Sequence, residues 1–260
     1  MTDSDVAIDV VRRAAVVVRG RFGSALKRLS KGGDDFATEA DIESEEAMLA
    51  VLRRERPDDG VIGEESGSGG AKDAARVWLL DPLCGTLNYA AGMRVVAVNA
   101  ALRDADRLVA AAVSDPFTDE IYWTDGTAAC VRAGGLDAPL RPSGASKLVD
   151  LNLDPPFPSA PGFRAGVLAA DPAFLSRFKP RVVSSTMAVT WVATGQRAGY
   201  VTDGDVMEKE VHFAAGLALC RAAGCVVSDL RGQPWEAGAI GLVIGADAST
   251  HAALCALINP

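Results

Sequence analysis

The sequence predicts a mixed fold, in which an α+β half is followed by an α/β half. Apolar residues recur with helical spacing over residues 6–29, and Thr38 and Asp41 are suited to cap a second helix. Short apolar segments separated by turns then predict an antiparallel meander, with strands at 95–102, 108–114 and 120–124. Consecutive strands of this kind are typical of an α+β arrangement.

The second half alternates short apolar strands with helices. The predicted elements are strands at 165–169, 181–183, 199–202 and 242–245, and helices at 187–194 and 214–223. Between the halves, residues 132–162 are rich in Gly, Pro and Asp and show weak periodicity, which indicates a boundary. We therefore predict an N-terminal domain at residues 1–140 and a C-terminal domain at residues 141–260.

Composition excludes several classes of function. The chain has 260 residues, of which 49% are hydrophobic, so it can bury a substantial core. A net charge of −8 argues against general nucleic-acid binding, which needs clustered Lys and Arg. No apolar run approaches the roughly 20 residues that cross a bilayer, and the N-terminus lacks the order of a signal peptide. We expect a cytoplasmic protein that binds neither nucleic acid nor membrane.

Acidic residues follow two predicted apolar strands. Glu64 and Glu65 come after the apolar residues 61–62, and Asp81 comes directly after a predicted strand at 77–80. Adjacent acids on their own are more typical of a solvated loop. Because Asp81 ends a buried strand and is followed by a turn and Thr86, we interpret these acids as parts of one functional site.

The segment around Asp81 resembles the metal-site signature of the inositol monophosphatase family. That family has an apolar strand followed by D-P-x-D-G-T-x-N, and the matching residues here are Asp81, Pro82, Gly85, Thr86 and Asn88. Further segments similar to family motifs are G-E-E-S at 63–66, S-D-P at 114–116, V-A-T-G at 192–195 and F-A-A-G at 213–216. The resemblance covers nearly the whole chain and implies a five-layered αβαβα sandwich that forms a homodimer.

The resemblance also implies a catalytic centre. One Mg²⁺ ion would be held by Glu64, Asp81 and the carbonyl of Leu83, and it would activate water for attack on a phosphate. Thr86 would orient this water, while Lys31 and Asp41 would act from outside the ligands. The residues expected to contact substrate are Gly85, Thr86, Ser184, Ser185 and Asp205. Exposed backbone N–H groups at the start of a helix favour such an anion.

Two residues depart from the family pattern at a second metal site. Cys84 replaces the second aspartate of the signature, and His212 replaces an aspartate before A-A-G. A thiolate and an imidazole are poor ligands for Mg²⁺ but ordinary ligands for Zn²⁺, so this second site is expected to hold Zn²⁺ or Mn²⁺ or to be lost. A further alternative is a nucleophilic Cys84 with His212 as its base, against that of an inert buried thiol. Carboxylates that would replace the lost ligand are Asp203, Asp205, Glu208 and Glu210.

Three functions are consistent with these residues. The first is hydrolysis of a small phosphorylated polyol, sugar or amino alcohol by metal-activated water. The second is a different reaction in the same pocket, such as a step of a specialised biosynthetic pathway. The third is a binding protein that keeps the scaffold without catalysis. In each case we expect the partner to be a small anionic metabolite.

Overall fold

The computed structural model describes residues 1–25, 27–32, 35–153, 165–203, 210–234 and 239–259. The chain forms two compact units. The N-terminal unit comprises Met1–Pro139, Ser185–Met187 and Val211–Leu219, and the C-terminal unit comprises Leu140–Ser184, Ala188–Glu210 and Cys220–Pro260. Two short segments late in the chain therefore group with the N-terminal unit, in addition to the residues before the predicted boundary.

The N-terminal unit contains two long helices and an eight-stranded sheet. Its elements are α1 (Asp3–Arg21), β1 (Arg28–Gly32), β2 (Asp35–Thr38), α2 (Glu39–Glu55), β3 (Gly60–Gly63), β4 (Gly67–Gly70), β5 (Arg76–Cys84), α3 (Thr86–Ala90), β6 (Ala97–Asp104), β7 (Arg107–Asp115), β8 (Glu120–Thr124), β9 (Ala129–Ala133) and β10 (Leu136–Pro139). The large sheet has the order β10-β9-β8-β7-β6-β5-β3-β4, and β1 pairs with β2 separately. The predicted meander is confirmed as β6, β7 and β8.

Both helices begin at capping boxes and pack on the sheet. At α2 the hydroxyl of Thr38 accepts a hydrogen bond from a backbone N–H of the first turn, and the Asp41 carboxylate accepts one from the backbone of Thr38. The apolar faces of α1 and α2 share one buried cluster with strands β5, β6 and β7. Among its wholly buried members are Met48 of α2, Trp78 of β5 and Leu102 of β6. This core holds the carboxyl end of β5 against α2.

The strand register brings two acidic residues side by side. Strand β3 runs parallel to β5, with Gly63 opposite Leu80. The next residues along the two strands are Glu64 and Asp81, and the backbone N–H of Glu64 donates to the carbonyl of Leu80 at 3.0 Å. Carboxyl ends of parallel neighbours meet at one edge of a sheet, so the two acids emerge together.

The C-terminal unit is an α/β structure. Its elements are β11 (Leu148–Asn152), α4 (Ala165–Ala170), α5 (Pro172–Arg177), β12 (Lys179–Val182), α6 (Thr186–Ala193), β13 (Gly199–Thr202), α7 (Ala214–Ala223), β14 (Val226–Ser228), β15 (Leu242–Gly245) and α8 (Ala248–Ile258), with the beginnings of α6 and α7 grouped in the N-terminal unit. The sheet order is β12-β11-β13-β15-β14, with β11 parallel to both of its neighbours. The predictions at 199–202, 214–223 and 242–245 are confirmed.

Two local predictions are wrong. Residues 165–169, predicted as a strand, lie in helix α4, because short apolar runs have no decisive periodicity and alanine favours a helix. The run of glycine and serine at residues 66–70 predicts a flexible loop, but it includes the exposed edge strand β4, whose backbone pairs with β3. The strands that were not predicted from the sequence are β1, β2, β9, β10, β11 and β14. Within the described residues, no helix combines the length and apolar character needed to cross a bilayer.

Candidate active site

Glu64, Asp81 and His212 meet in the N-terminal unit. One ligand atom from each of these side chains lies within 4.8 Å of the other two. The Nδ1 atom of His212 lies 3.0 Å from Oδ2 of Asp81 and 3.9 Å from Oε2 of Glu64. Asp81 is wholly buried, whereas the other two side chains are partly exposed. Predicted ligands from three separate stretches of the chain are thus brought to one point.

The three groups alter one another's protonation. Burial, and then the charge of Asp81, raise the pKa of Glu64 to about 8. Burial opposes ionisation of Asp81, but the hydrogen bond and the charge of His212 outweigh it and hold the pKa of Asp81 below its usual value. Burial also opposes the charged form of His212, yet the hydrogen bond to Asp81 and the charges of both carboxylates raise its pKa to about 9. Without a metal ion, His212 is therefore an imidazolium at neutral pH.

Lys31 adds a second cation beside the acids. Its Nζ atom lies 2.8 Å from Oε1 of Glu64 and 2.6 Å from Oε1 of Glu65. Burial lowers the pKa of this ammonium, but the charge of Glu64 and the hydrogen bonds to both glutamates outweigh burial and raise it. Lys31 therefore contacts one predicted ligand directly, from the side away from His212.

Thr86 is fixed beside this cluster by Asp41. The hydroxyl of Thr86 lies 3.0 Å from Oδ1 of Asp41 and 3.1 Å from the carbonyl oxygen of Leu83. A hydroxyl carries one proton, so Thr86 donates to one of these oxygens at a time. The Oδ2 atom of Asp41 accepts from the backbone N–H and the hydroxyl of Thr38, at 2.8 and 2.5 Å. Burial raises the pKa of Asp41.

The turn between Asp81 and Thr86 depends on a glycine. Gly85 has a φ of 101° and is the residue before α3. L side chains rarely adopt this conformation, so the turn requires glycine there. The backbone N–H of Leu83 donates to Oδ1 of Asp81 at 3.2 Å, which holds the start of the turn. The predicted residues Asp81, Leu83, Gly85 and Thr86 thus form one connected loop.

Cys84 lies in the same loop, and its thiol contacts Thr186. The group of ligand atoms within 4.8 Å consists of Glu64, Asp81 and His212, and Cys84 is not among them. Its Sγ atom lies 3.2 Å from the backbone N–H of Thr186 and 3.0 Å from the Thr186 hydroxyl. Burial raises the pKa of Cys84 well above its usual value, so the metal-free protein holds a neutral thiol.

Ser184, Ser185 and Asp205 were predicted near the substrate. Ser185 is buried, and its hydroxyl donates to the carbonyl oxygen of Cys84 at 3.3 Å, which places it against the Asp81 loop. Ser184 is partly exposed and groups with the C-terminal unit. Asp205 lies outside the described residues.

Comparison with known proteins decides the family. The sequence profile of the inositol monophosphatase family matches residues 2–260. The chain belongs to this family.

Similar proteins agree with this assignment. An inositol-1-monophosphatase of Mesorhizobium japonicum is 31% identical over 236 residues, which cover 88% of this chain and 85% of that protein. A probable inositol 1-monophosphatase of Mycobacterium tuberculosis is 35% identical and covers 85% of this chain and 80% of its own. The solved structure of the extragenic suppressor protein SuhB from Bartonella henselae has a TM-score of 0.84 at 23% identity, covering 98% and 97% of the two chains. The predicted α/β fold of this family is confirmed.

The family assignment makes a divalent ion the expected occupant of the candidate site. Inositol monophosphatases are metal-dependent phosphatases. The donor set here consists of two carboxylates and one imidazole, all of which are ordinary ligands of divalent ions. Their mutual separations suit binding to one ion. The residues present therefore fit a metal centre.

Sequence reasoning missed two residues that hold the site together. Glu45 of α2 accepts hydrogen bonds from the backbone N–H groups of Glu65 and Ser66, at 2.9 and 2.8 Å. A side chain at Gly63 would lie 2.6 Å from Glu45, so the glycine before the acids was the available signal. Asn99 lies opposite Asp81 on β6 and donates to both Asp81 and Thr186, at 3.3 and 3.1 Å. Its signal was one polar residue within an apolar strand.

Proposed function

We propose that this inositol monophosphatase family member hydrolyses a small phosphomonoester, such as a phosphorylated polyol, sugar or amino alcohol. The observation that carries the proposal is the meeting of Glu64, Asp81 and His212 within 4.8 Å. Thr86 lies in the same loop as Asp81, and its hydroxyl contacts Asp41 of α2. A bound divalent ion supplies charge for the phosphate and lowers the pKa of water.

The residues of this chain have separate roles in the proposed reaction. Asp81 and Glu64 provide carboxylate ligands, and His212 provides a nitrogen in place of the family's aspartate. Asp41 accepts a hydrogen bond from the Thr86 hydroxyl, which leaves the lone pairs of that hydroxyl to orient a water molecule. This arrangement needs no titration of Thr86 itself.

The proposed phosphate site is local, because the chain as a whole is acidic. A net charge of −8 repels anions, so attraction must come from groups at the site. The backbone N–H groups of Gly85 and Thr86, at the turn before α3, are the proposed donors to a phosphate oxygen. Lys31 reduces the negative charge of Glu64 and Glu65, which would otherwise repel the substrate.

Phosphate release from a panel of small phosphomonoesters tests this function. We expect release with Zn²⁺, Mn²⁺ or Mg²⁺, and a loss of at least about 100-fold in Asp81→Asn, which keeps the shape but weakens the ligand. The control is Asp58→Asn, a change of an exposed aspartate in the same unit. The proposal would be overturned if the wild-type protein released no phosphate with any of these metals and substrates.

A second candidate is a binding protein without phosphatase activity. The observation that favours it is that Lys31 and His212 already supply two positive charges to the acids, at 2.8 Å from Glu64 and 3.0 Å from Asp81. The side chains of Lys31 and His212 would then neutralise the acids in place of a metal ion. Calorimetry distinguishes the two candidates: binding of a phosphorylated metabolite in excess chelator, without turnover on adding any metal, supports the second.

A further inference from the structure

We infer that the site is built for a single Zn²⁺ ion rather than Mg²⁺, with Glu64, Asp81 and His212 as its protein ligands. The inference rests on the proposed function for the presence of a metal, but not for its identity. It follows from the type of the donor atoms, their spacing, and the contacts that hold the ligands.

The donor atoms match zinc better than magnesium. Catalytic zinc sites have three protein ligands, which include histidine and in some enzymes a carboxylate, and keep one position open for water or substrate. The group here consists of two carboxylates and one imidazole. Magnesium demands near-octahedral oxygen coordination and is held through carboxylates and water, so an imidazole in the ligand set disfavours it.

The spacing of the donors suits one small ion. Ligand atoms bound at about 2.0 to 2.1 Å to a tetrahedral ion lie about 3.3 Å apart. The observed separations from Nδ1 of His212 are 3.0 Å to Asp81 and 3.9 Å to Glu64, which lie on either side of that value. Small side-chain movements would therefore bring all three donors to one ion.

Contacts outside the ligands fix their orientation. The two oxygens of Asp81 accept from the backbone N–H of Leu83 at 3.2 Å and from Asn99 at 3.3 Å. The backbone carbonyl of His212 accepts from the hydroxyl of Thr186 at 2.7 Å, which ties the histidine to the start of α6. Such supporting contacts are a regular part of zinc sites, where they orient the ligands and raise affinity.

The thiol of Cys84 is excluded from this ligand set. Its Sγ atom contacts the backbone N–H and hydroxyl of Thr186, the same residue that holds the His212 carbonyl. Cys84 therefore supports the histidine through Thr186 instead of binding the ion. This arrangement predicts nitrogen and oxygen ligation without sulfur.

Metal binding to the full-length protein tests the inference without reference to activity. The chain has only two histidines, His212 and His251, so imidazole signals in an NMR spectrum of ¹⁵N-histidine-labelled protein can be assigned with one variant. We expect one equivalent of Zn²⁺ to shift the ring nitrogens of His212 and leave those of His251 unchanged. Substituted Co²⁺ is expected to give a tetrahedral absorption spectrum without the near-ultraviolet charge-transfer band of a cobalt–thiolate bond.

Affinity measurements provide the second readout. By competition with a chelator, wild type is expected to prefer Zn²⁺ to Mg²⁺ by at least about 1,000-fold, because imidazole favours zinc. His212→Asp is expected to lose at least about tenfold of this preference, and the matched control His251→Gln to retain it. The inference is overturned if Zn²⁺ leaves the His212 signals unchanged, or if Mg²⁺ binds as tightly as Zn²⁺.

These outcomes separate the inference from the proposed function. Zinc bound through His212 in a protein that releases no phosphate would support the metal assignment and overturn the phosphatase. Phosphate release with Mg²⁺ alone, without a change in the His212 signals on adding Zn²⁺, would support the phosphatase and overturn the zinc assignment. The NMR and cobalt measurements use the wild-type protein, so they remain decisive if His212→Asp does not fold.

Discussion

The hydroxyl of Thr86 lies 3.0 Å from the buried carboxylate of Asp41, a residue of the first turn of α2. The same carboxylate caps its own helix through Thr38, so the first turn of α2 and the loop that carries Thr86 are held by one side chain. The position of the Thr86 oxygen is consequently set by the helix rather than by the loop alone.

Removal of the Thr86 hydroxyl should lower turnover without affecting metal binding. Thr86→Ala is expected to reduce kcat by about 100-fold, because a group that orients water for proton transfer is lost. Thr86→Ser keeps the hydroxyl and should retain activity within about tenfold. Steady-state kinetics and metal titration on both variants provide the measurement. A loss of metal affinity equal to the loss of kcat would contradict a role in orienting water.

Cys84→Ala should leave both metal affinity and activity within a few-fold of wild type. The thiol is neutral in the metal-free protein and contacts Thr186, so we expect it to act neither as a nucleophile nor as a ligand. Cys130→Ala, a change of a partly buried cysteine on β9, is the control. Chelator competition and phosphate release would show the effect, and a loss of about 100-fold or more in Cys84→Ala alone would establish a chemical role for the thiol.

Glu45→Ala should destabilise the fold and weaken metal binding. The carboxylate of Glu45 accepts from the backbone of Glu65 and Ser66, and its removal leaves two partly buried N–H groups without their acceptor. We expect a loss of about 2 kcal/mol in the free energy of unfolding. Glu46→Ala removes an exposed carboxylate paired with Arg53 on the same helix and should change stability by less than about 0.5 kcal/mol. Denaturant unfolding compares the two variants. Equal losses in the free energy of unfolding would contradict the stabilising role of Glu45.

Gly85→Ala should strain the turn that carries Thr86. Its φ of 101° is unfavourable for any residue with a Cβ atom, at a cost of about 1 to 2 kcal/mol. The control is Gly20→Ala in α1, where a Cβ would meet nothing within 4 Å and helix propensity predicts a gain of about 0.5 kcal/mol. Opposite signs are expected in thermal unfolding, and an unchanged melting temperature in Gly85→Ala would refute the prediction.

The stability of the C-terminal unit should decrease as pH rises, because Asp150 loses its proton. Burial raises the pKa of this carboxyl to about 6, despite the partner Arg197 at 2.8 Å. The folded state therefore binds the proton more tightly than the unfolded state, so the contribution to stability is full below about pH 4 and is lost as pH rises through about 6.

Asp150→Asn removes this titration and provides its measurement. Between pH 4 and 7, wild type should lose on the order of 2 to 3 kcal/mol in the free energy of unfolding relative to the variant. Urea unfolding at a series of pH values, in the presence of chelator, gives both curves. Curves that stay parallel over this range would show that the pKa of Asp150 is the same in the folded and the unfolded protein, and would contradict the prediction.

Local sequence patterns predicted much of the fold. The cap at Thr38, the strand that ends at Asp81, and the elements at 199–202, 214–223 and 242–245 depend on residues close together in the chain. Where local signals were weak the predictions were wrong, as at helix α4 and strand β4. Backbone pairing with β3 defines β4, and its glycine and serine side chains carry no signal for it.

For the candidate site too, the sequence predicted some of the features and the tertiary structure determined the others. The sequence alone predicted Glu64, Asp81 and Thr86 as site residues, because the segments around them resemble motifs of the inositol monophosphatase family. Only the tertiary structure determined that His212 lies 3.0 Å from Asp81, that Cys84 contacts Thr186, and that Asn99 and Glu45 hold the ligands. Contacts between residues far apart in the chain depend on strand register and packing, which involve the whole fold and leave no mark in any short window of sequence.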